Sequence, residues 1–180
     1  MNLMKKKIFA LCGSTRANSA NLQLLKAIAT LSANEFEIEI YDQLAALPHF
    51  NPDRDNETPP ELVTTLREKI KACDGVLICT PEYVFSLPGS LKNAIEWTVS
   101  TTLFSHKPTA IITASGLGEQ AHASLQLIMS TLEADMTEHT QLHISGVRNK
   151  VNADGGIMDK STLNKINELI KSLSGLIKEK

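Results

Sequence analysis

The stretch GVLICT, Gly75 to Thr80, decides the fold class of this chain. Nearly all of its residues are apolar, as expected of a central parallel strand that is covered on both faces. Before it, ELVTTLREKIKAC follows Pro59 and Pro60 and leads to Asp74, which predicts a helix that ends just before the strand. A buried strand that follows a helix is the repeating unit of a parallel sheet.

The same alternation of strand and helix runs along the rest of the chain. Apolar or alternating runs predict further strands at Lys7 to Cys12, Phe36 to Asp42, Lys107 to Ser115 and Thr140 to Ile144. Apolar residues at helical spacing predict further helices at Ala20 to Leu31, Pro88 to Ser100, Gly118 to Leu132 and Asp159 to Ile177. Right-handed crossovers then favour an α/β fold with a five-stranded parallel sheet of order 2-1-3-4-5 and helices on both faces.

Length, charge and cysteine content narrow the possible classes of protein. A chain of 180 residues with 42% hydrophobic content can bury one sizeable core, so we expect a single domain over residues 1–180. The net charge of −2 gives no electrostatic reason to expect a nucleic acid or a membrane as partner. The odd number of cysteines beside apolar runs favours reduced thiols in the cytoplasm; they are Cys12, Cys73 and Cys79.

Ligands of such a sheet bind beyond the carboxyl ends of the strands, where the winding reverses between strands one and three. The loop GSTRANS, Gly13 to Ser19, leaves the first strand there and enters a helix, whose N-terminus favours an anion. The Arg16 guanidinium matches phosphate geometry, so the loop predicts a phosphate site. Further donors are Ser14, Thr15, Ser19 and Asn21. The alternative is an ordinary helix cap at Asn18 or Ser19 with a solvated Arg16.

The loop after the third strand is more specific. It lies within TPEYVFSLPGSLKNAIEW, Thr80 to Trp97, where Pro81 and Pro88 stiffen the backbone. Backbone N–H groups held in fixed directions can meet the edge of a planar heterocycle, with Tyr83 and Phe85 beside it.

With these two loops the chain resembles the NADPH-dependent FMN reductase family, a flavodoxin-like group that includes quinone, azo and chromate reductases. The first family motif, similar to GSxRxxSxN, is matched by Gly13, Ser14, Arg16, Ser19 and Asn21. The second, similar to PEYNxSxPGxLKNAIDW, is matched by Pro81, Glu82, Tyr83, Ser86, Pro88, Gly89, Leu91, Lys92, Asn93, Ala94, Ile95 and Trp97. Val84 stands where the family has asparagine, and Glu96 where it has aspartate.

The resemblance implies a flavodoxin-like three-layer sandwich that binds FMN. It implies hydride transfer from NADPH or NADH through FMN to a quinone, azo compound, chromate or free flavin, by a ping-pong mechanism without a catalytic residue beyond the flavin. It also implies a homodimer or homotetramer. The implied FMN-binding residues are Ser14, Arg16, Ser19 and Asn21, then Pro81, Glu82, Tyr83, Val84 and Ser86, then Ser115, Gly116 and Gly118. For Glu82, support of the loop without contact to the cofactor is the alternative.

Two other functions stay open beside this one. An electron carrier without NAD(P)H oxidation would share the fold, but such proteins are typically strongly acidic and this chain is not. Gly116, Gly118 and Ala121 also spell G-x-G-x-x-A between a strand and a helix, followed by Asp135 and Glu138, which is the outline of a dinucleotide-binding motif. The five histidines are scattered without a metal-binding motif, so we expect no metal site.

Overall fold

A parallel sheet forms the centre of the protein, for which the computed structural model describes residues 5–152 and 156–178. Within these residues the sheet has five strands: β1 (Lys6–Cys12), β2 (Phe36–Tyr41), β3 (Gly75–Thr80), β4 (Thr109–Ser115) and β5 (Gln141–Ser145). All neighbouring strands pair in parallel, in the order β2-β1-β3-β4-β5. The predicted fold class and strand order are confirmed.

Five α-helices of the described residues cover the two faces: α1 (Ala20–Leu31), α2 (Glu61–Ala72), α3 (Gly89–Glu96), α4 (Glu119–Thr131) and α5 (Lys160–Lys178). The apolar sides of α1 and α5 pack on one face of the sheet, and those of α2, α3 and α4 pack on the other. This arrangement is the predicted three-layer sandwich. No helix within the described residues is long and apolar enough to cross a membrane.

Strand burial follows the sequence pattern. Every residue of β3 is buried, because this strand lies between β1 and β4 and has helices on both faces. At the edge of the sheet, β2 exposes Glu37 and Glu39 on one face, while Phe36, Ile38 and Ile40 on the other face belong to the core or pack against it. An alternating strand suits an edge position because only one of its faces needs to be apolar.

Helix α3 ends at Glu96, whereas the apolar spacing predicted a helix to Ser100. The side chain of Arg67, on α2, donates to the Trp97 carbonyl oxygen through Nε at 2.8 Å and through Nη2. The Thr98 hydroxyl donates to the Ile95 carbonyl at 2.7 Å. Since both carbonyls have side-chain partners, the backbone turns away from the helix at this point.

The segment after β2 is held against α3 by side-chain hydrogen bonds. Asn93 Nδ2 and Trp97 Nε1 both donate to the Pro48 carbonyl oxygen, at 3.0 and 2.8 Å. The Phe50 backbone N–H donates to Asn93 Oδ1 at 2.7 Å, and the rings of Phe50 and Trp97 meet edge to face. Asn93 and Trp97 of the second motif therefore anchor this segment.

Candidate functional site

A cleft of about 450 Å³ lies at the carboxyl ends of β1, β3, β4 and β5, the edge at which the strand order predicts a ligand site. It is lined by four loops, through Ser14, Arg16, Ser19, Ala20, Asn21, Pro81, Glu82, Tyr83, Ala114, Ser115, Gly116, Gly146, Val147, Arg148 and Asn149. A larger cavity, of about 840 Å³, lies at the other end of the strands, where Lys6 begins β1 and Asp74 and Pro108 precede β3 and β4. Parallel sheets bind ligands beyond the carboxyl ends of their strands, so the cleft at that end is the candidate site.

The first loop of the cleft leads into α1, which Ser19 caps. The Leu22 backbone N–H donates to Ser19 Oγ at 3.1 Å, so Ser19 is a helix cap, and its contact with a phosphate stays a prediction. Arg16 is exposed and forms no ion pair with another described residue. The N-terminus of α1 and a free guanidinium therefore face the cleft together, which suits an anion.

Ser14 supplies a sharper indication of a ligand. The residue is only 7% exposed, and its Oγ is buried without a hydrogen-bond partner among the described residues. A buried hydroxyl in this state costs free energy unless a ligand or water completes its hydrogen bonding. A phosphate group beside the α1 N-terminus would accept from this hydroxyl.

Asn21 uses its side chain within the protein. Asn21 Nδ2 donates to the Ala114 carbonyl oxygen at 3.1 Å, and the Cys79 thiol donates to Asn21 Oδ1 at 3.2 Å. These bonds tie α1 to β4 and β3 directly under the cleft. Burial raises the pKa of the Cys79 thiol and that of the Cys12 thiol, which disfavours the reactive thiolate form of both. A direct contact of Asn21 with phosphate stays a prediction.

The second loop makes a tight hairpin between Tyr83 and Ser86. Each of these two residues donates its backbone N–H to the carbonyl oxygen of the other, at 3.0 Å. Val84 and Phe85 between them have φ angles of 51° and 55°, the type I′ combination that normally selects asparagine or glycine. The family asparagine at position 84 therefore has a backbone explanation. The Val84 side chain is 96% exposed, outside the cleft lining.

Replacing Val84 by asparagine should stabilise the protein. A β-branched residue in the left-handed region costs roughly 1 to 2 kcal/mol, which asparagine largely avoids, and the exposed Val84 side chain loses no packing within its own chain when it is changed. We expect the free energy of unfolding of V84N to rise by about 1 kcal/mol, measured by urea denaturation. Val99→Asn is the matched control, because Val99 is also exposed but has no positive φ. An equal change in the free energy of unfolding of both variants would contradict backbone strain at Val84.

Glu82 connects the second loop to the fourth. Its Oε1 accepts from the Gly118 backbone N–H at 3.2 Å, and its Oε2 accepts from the Ala121 N–H at 2.9 Å. The protein's own carboxylate thus caps the N-terminus of α4, where a dinucleotide motif would place a pyrophosphate. This contact argues against the dinucleotide interpretation of Gly116 to Ala121. It also gives Glu82 the supporting role that the sequence left as an alternative.

The two glycines of the fourth loop differ in their roles. Gly118 has φ +100°, and a Cβ there would lie 2.9 Å from His143 Nε2, so the fold itself requires glycine. At Gly116 a Cβ would meet no described atom within 4 Å. Because Gly116 lines the cleft and Gly118 does not, only Gly116 presents bare backbone to a ligand.

A pair of histidines supports the fourth loop from behind. The rings of His122 and His143 stack with centroids 5.6 Å apart. His143 Nε2 donates to the Leu117 carbonyl oxygen at 2.7 Å, and His122 Nδ1 lies 3.0 Å from Thr113 Oγ1. Burial, with a smaller contribution from the neighbouring His143, lowers the pKa of His122.

Stability should therefore fall as the pH drops through about 6.5, the ordinary pKa of histidine in an unfolded chain. Below that pH the unfolded state binds a proton more readily than the folded state does, and the loss is complete once folded His122 is protonated too. We expect the free energy of unfolding of H122N to depend less on pH than that of the unchanged protein between pH 5 and 7.5. If the free energy of unfolding depends on pH equally in both proteins, His122 is not the group responsible.

The structure brings nine of the twelve predicted site residues into the cleft lining and leaves three outside it, namely Val84, Ser86 and Gly118. Sequence reasoning missed the loop after β5, which adds Gly146, Val147, Arg148 and Asn149. The available signal was that this loop also follows the carboxyl end of a strand. Within the described residues, no cluster of three or more potential metal ligands occurs.

The chain is similar to known proteins over most of its length. The family model described as NADPH-dependent FMN reductase matches residues 6–177. A 2-hydroxy-1,4-benzoquinone reductase from Burkholderia sp is 32% identical over 165 residues, which cover 88% of this chain and 89% of the relative. A quinone reductase from Escherichia coli is 31% identical over 166 residues, with 88% of each chain covered. Among solved structures, the flavoenzyme NAD(P)H:(acceptor) oxidoreductase FerB from Paracoccus denitrificans superposes with a TM-score of 0.85 at 28% identity, covering 97% of this chain and 98% of FerB.

Proposed function

The chain belongs to the NADPH-dependent FMN reductase family, and from this membership we propose that it reduces quinones with electrons from NAD(P)H. The protein is an oxidoreductase of the family that uses FMN and NAD(P)H. The choice of a quinone as acceptor is supported by the names of relatives that match most of the chain.

We propose that FMN binds in this cleft, and the buried hydroxyl of Ser14 is the observation that best supports it. Its Oγ has no partner among the described residues, and Ser14 lines the same cleft as the α1 cap Ser19 and Arg16, which forms no ion pair with another described residue. These groups would hold the phosphate of FMN. The backbone at Pro81 to Tyr83 and at Ser115 to Gly116 would border the ring, with Gly116 offering a surface free of side-chain atoms.

When bound, FMN would accept a hydride and pass two electrons on to the acceptor. The residues of this chain would bind the flavin and orient it and the substrates. The hydrogen bonds of Glu82 to Gly118 and Ala121 connect the two loops that would border the ring. Tyr83 is half exposed at the rim, on the side from which a planar substrate would enter. We propose that nicotinamide and quinone use this open side in turn, which predicts ping-pong kinetics.

We also propose a homodimer or homotetramer in the cytoplasm. Exposed apolar side chains at the tip of the second loop, Val84 and Phe85, support burial against another copy. The free cysteines of the described residues support a reducing compartment. Light scattering coupled to gel filtration measures the mass, and a monomer would contradict the proposed assembly.

The experiment that tests the function is an absorbance titration. The purified protein is incubated with FMN, freed of excess flavin by gel filtration and reduced anaerobically with NADPH, after which a quinone is added. A flavin band that bleaches with NADPH and returns with quinone is the expected result. A band that forms but does not bleach would indicate an electron carrier instead. A protein that retains no FMN would overturn the assignment of the cleft.

A further inference from the structure

The loop after β5 places a second arginine at the cleft. Its short helical turn, Val147–Asn149, follows Gly146, whose backbone N–H donates to the Gly116 carbonyl oxygen at 3.0 Å. The Val147 side chain is buried in the core. Because the turn is tied both to the fourth loop and to the core, the backbone of Arg148 is held at the cleft, and its exposed side chain is part of the cleft lining.

The charge of the cleft is positive on balance. Arg16 lines it from the loop after β1 and Arg148 from the loop after β5, and neither forms an ion pair within residues 5–152 and 156–178. The carboxylate of Glu82, which also lines the cleft, is directed at the N-terminus of α4, where two backbone N–H groups donate to it. The net charge of the chain is −2, so two unpaired guanidinium groups at one cleft are a local feature of this edge.

We propose that Arg148 binds a phosphate group in the cleft, as a second guanidinium beside Arg16. The proposal rests on the proposed function, because FMN and NADPH are the phosphate-bearing ligands of that function. A guanidinium offers a planar pair of N–H donors that matches two phosphate oxygens. The phosphate is either the terminal group of FMN or the 2′-phosphate that distinguishes NADPH from NADH.

Two binding measurements on Arg148→Ala separate these sources. The first compares FMN with riboflavin, which lacks the phosphate, by quenching of flavin fluorescence on titration with apoprotein. If Arg148 contacts the flavin phosphate, FMN binding should weaken by roughly tenfold while riboflavin binding stays constant. The second compares the KM for NADPH with that for NADH. If Arg148 contacts the 2′-phosphate, only the KM for NADPH should rise, by a similar factor.

Arg54→Ala is the matched control, because it removes the same charge from an exposed residue that does not line the cleft. Thermal unfolding of each variant checks that the fold is retained, and Arg148→Lys should restore part of the lost binding. The proposal would be overturned if R148A binds FMN with unchanged affinity and the ratio of its KM for NADPH to its KM for NADH is also unchanged. Equal weakening of FMN and riboflavin would also overturn it. Failure of the unchanged protein to bind FMN would instead refute the proposed function, so the two failures are distinguishable.

Discussion

Arg67→Ala is expected to lower the free energy of unfolding by about 3 to 5 kcal/mol, the usual result of removing one partner from a buried ion pair. The Arg67 side chain is 16% exposed and that of its partner Asp55 only 6%. Nη2 lies 2.6 Å from Asp55 Oδ1, and the same guanidinium donates to the Trp97 carbonyl oxygen. Without the arginine, the Asp55 carboxylate loses its charged partner and keeps, among the described residues, only the Ser100 hydroxyl, which donates to Oδ1 at 2.9 Å. The Trp97 carbonyl oxygen loses its side-chain donor.

The loss should appear as a lower midpoint in urea denaturation with an unchanged slope. Lys69→Ala provides the matched control, since Lys69 lies on the same helix and pairs with Glu39 at the surface. An exposed pair contributes about 0 to 1 kcal/mol, so K69A should unfold near the midpoint of the unchanged protein. A loss in R67A no larger than that in K69A would show that the buried pair contributes little.

Gly13→Ala should weaken FMN binding by roughly a hundredfold, because the added methyl group displaces the loop that holds the phosphate. A Cβ at this position would lie 2.4 Å from Thr80 Oγ1 and 2.8 Å from Thr80 Cβ. Thr80 is fully buried at the end of β3 and has no room to move. Gly13 has no positive φ, so the effect is a steric one, and overpacking adds a stability loss of about 1 to 3 kcal/mol.

The control for Gly13 is Gly175→Ala. A Cβ at Gly175 meets no described atom within 4 Å, and the residue lies inside α5. Alanine in a helix interior is favoured over glycine by about 0.8 to 1 kcal/mol, so G175A should be more stable and bind FMN normally. Flavin titration and urea denaturation of both variants measure the two effects. Normal FMN affinity in G13A would mean that the loop absorbs the methyl group without moving its donors.

Much of the fold was predictable because the signals are local. The uniformly apolar GVLICT marked β3 as a central strand, and the alternating FEIEIY marked β2 as an edge strand, as the burial of both strands confirms. Apolar spacing located the helices, except at the end of α3. There the limit is set by Arg67, a residue 30 positions away from Trp97, which no periodicity within α3 could reveal.

At the cleft, too, some features follow from local sequence signals and others from contacts between distant residues. The sequence by itself determined the family and the strand order, and it predicted three of the four loops that line the cleft, because motif residues and hydrophobic periods lie close together along the chain. Only the tertiary structure decided that Glu82 caps α4, 36 and 39 residues further on, and that Arg148 joins Arg16 at one cleft. These pairings arise where distant loops meet at one sheet edge, and their hydrogen bonds depend on distances and directions that exist only once the sheet has formed.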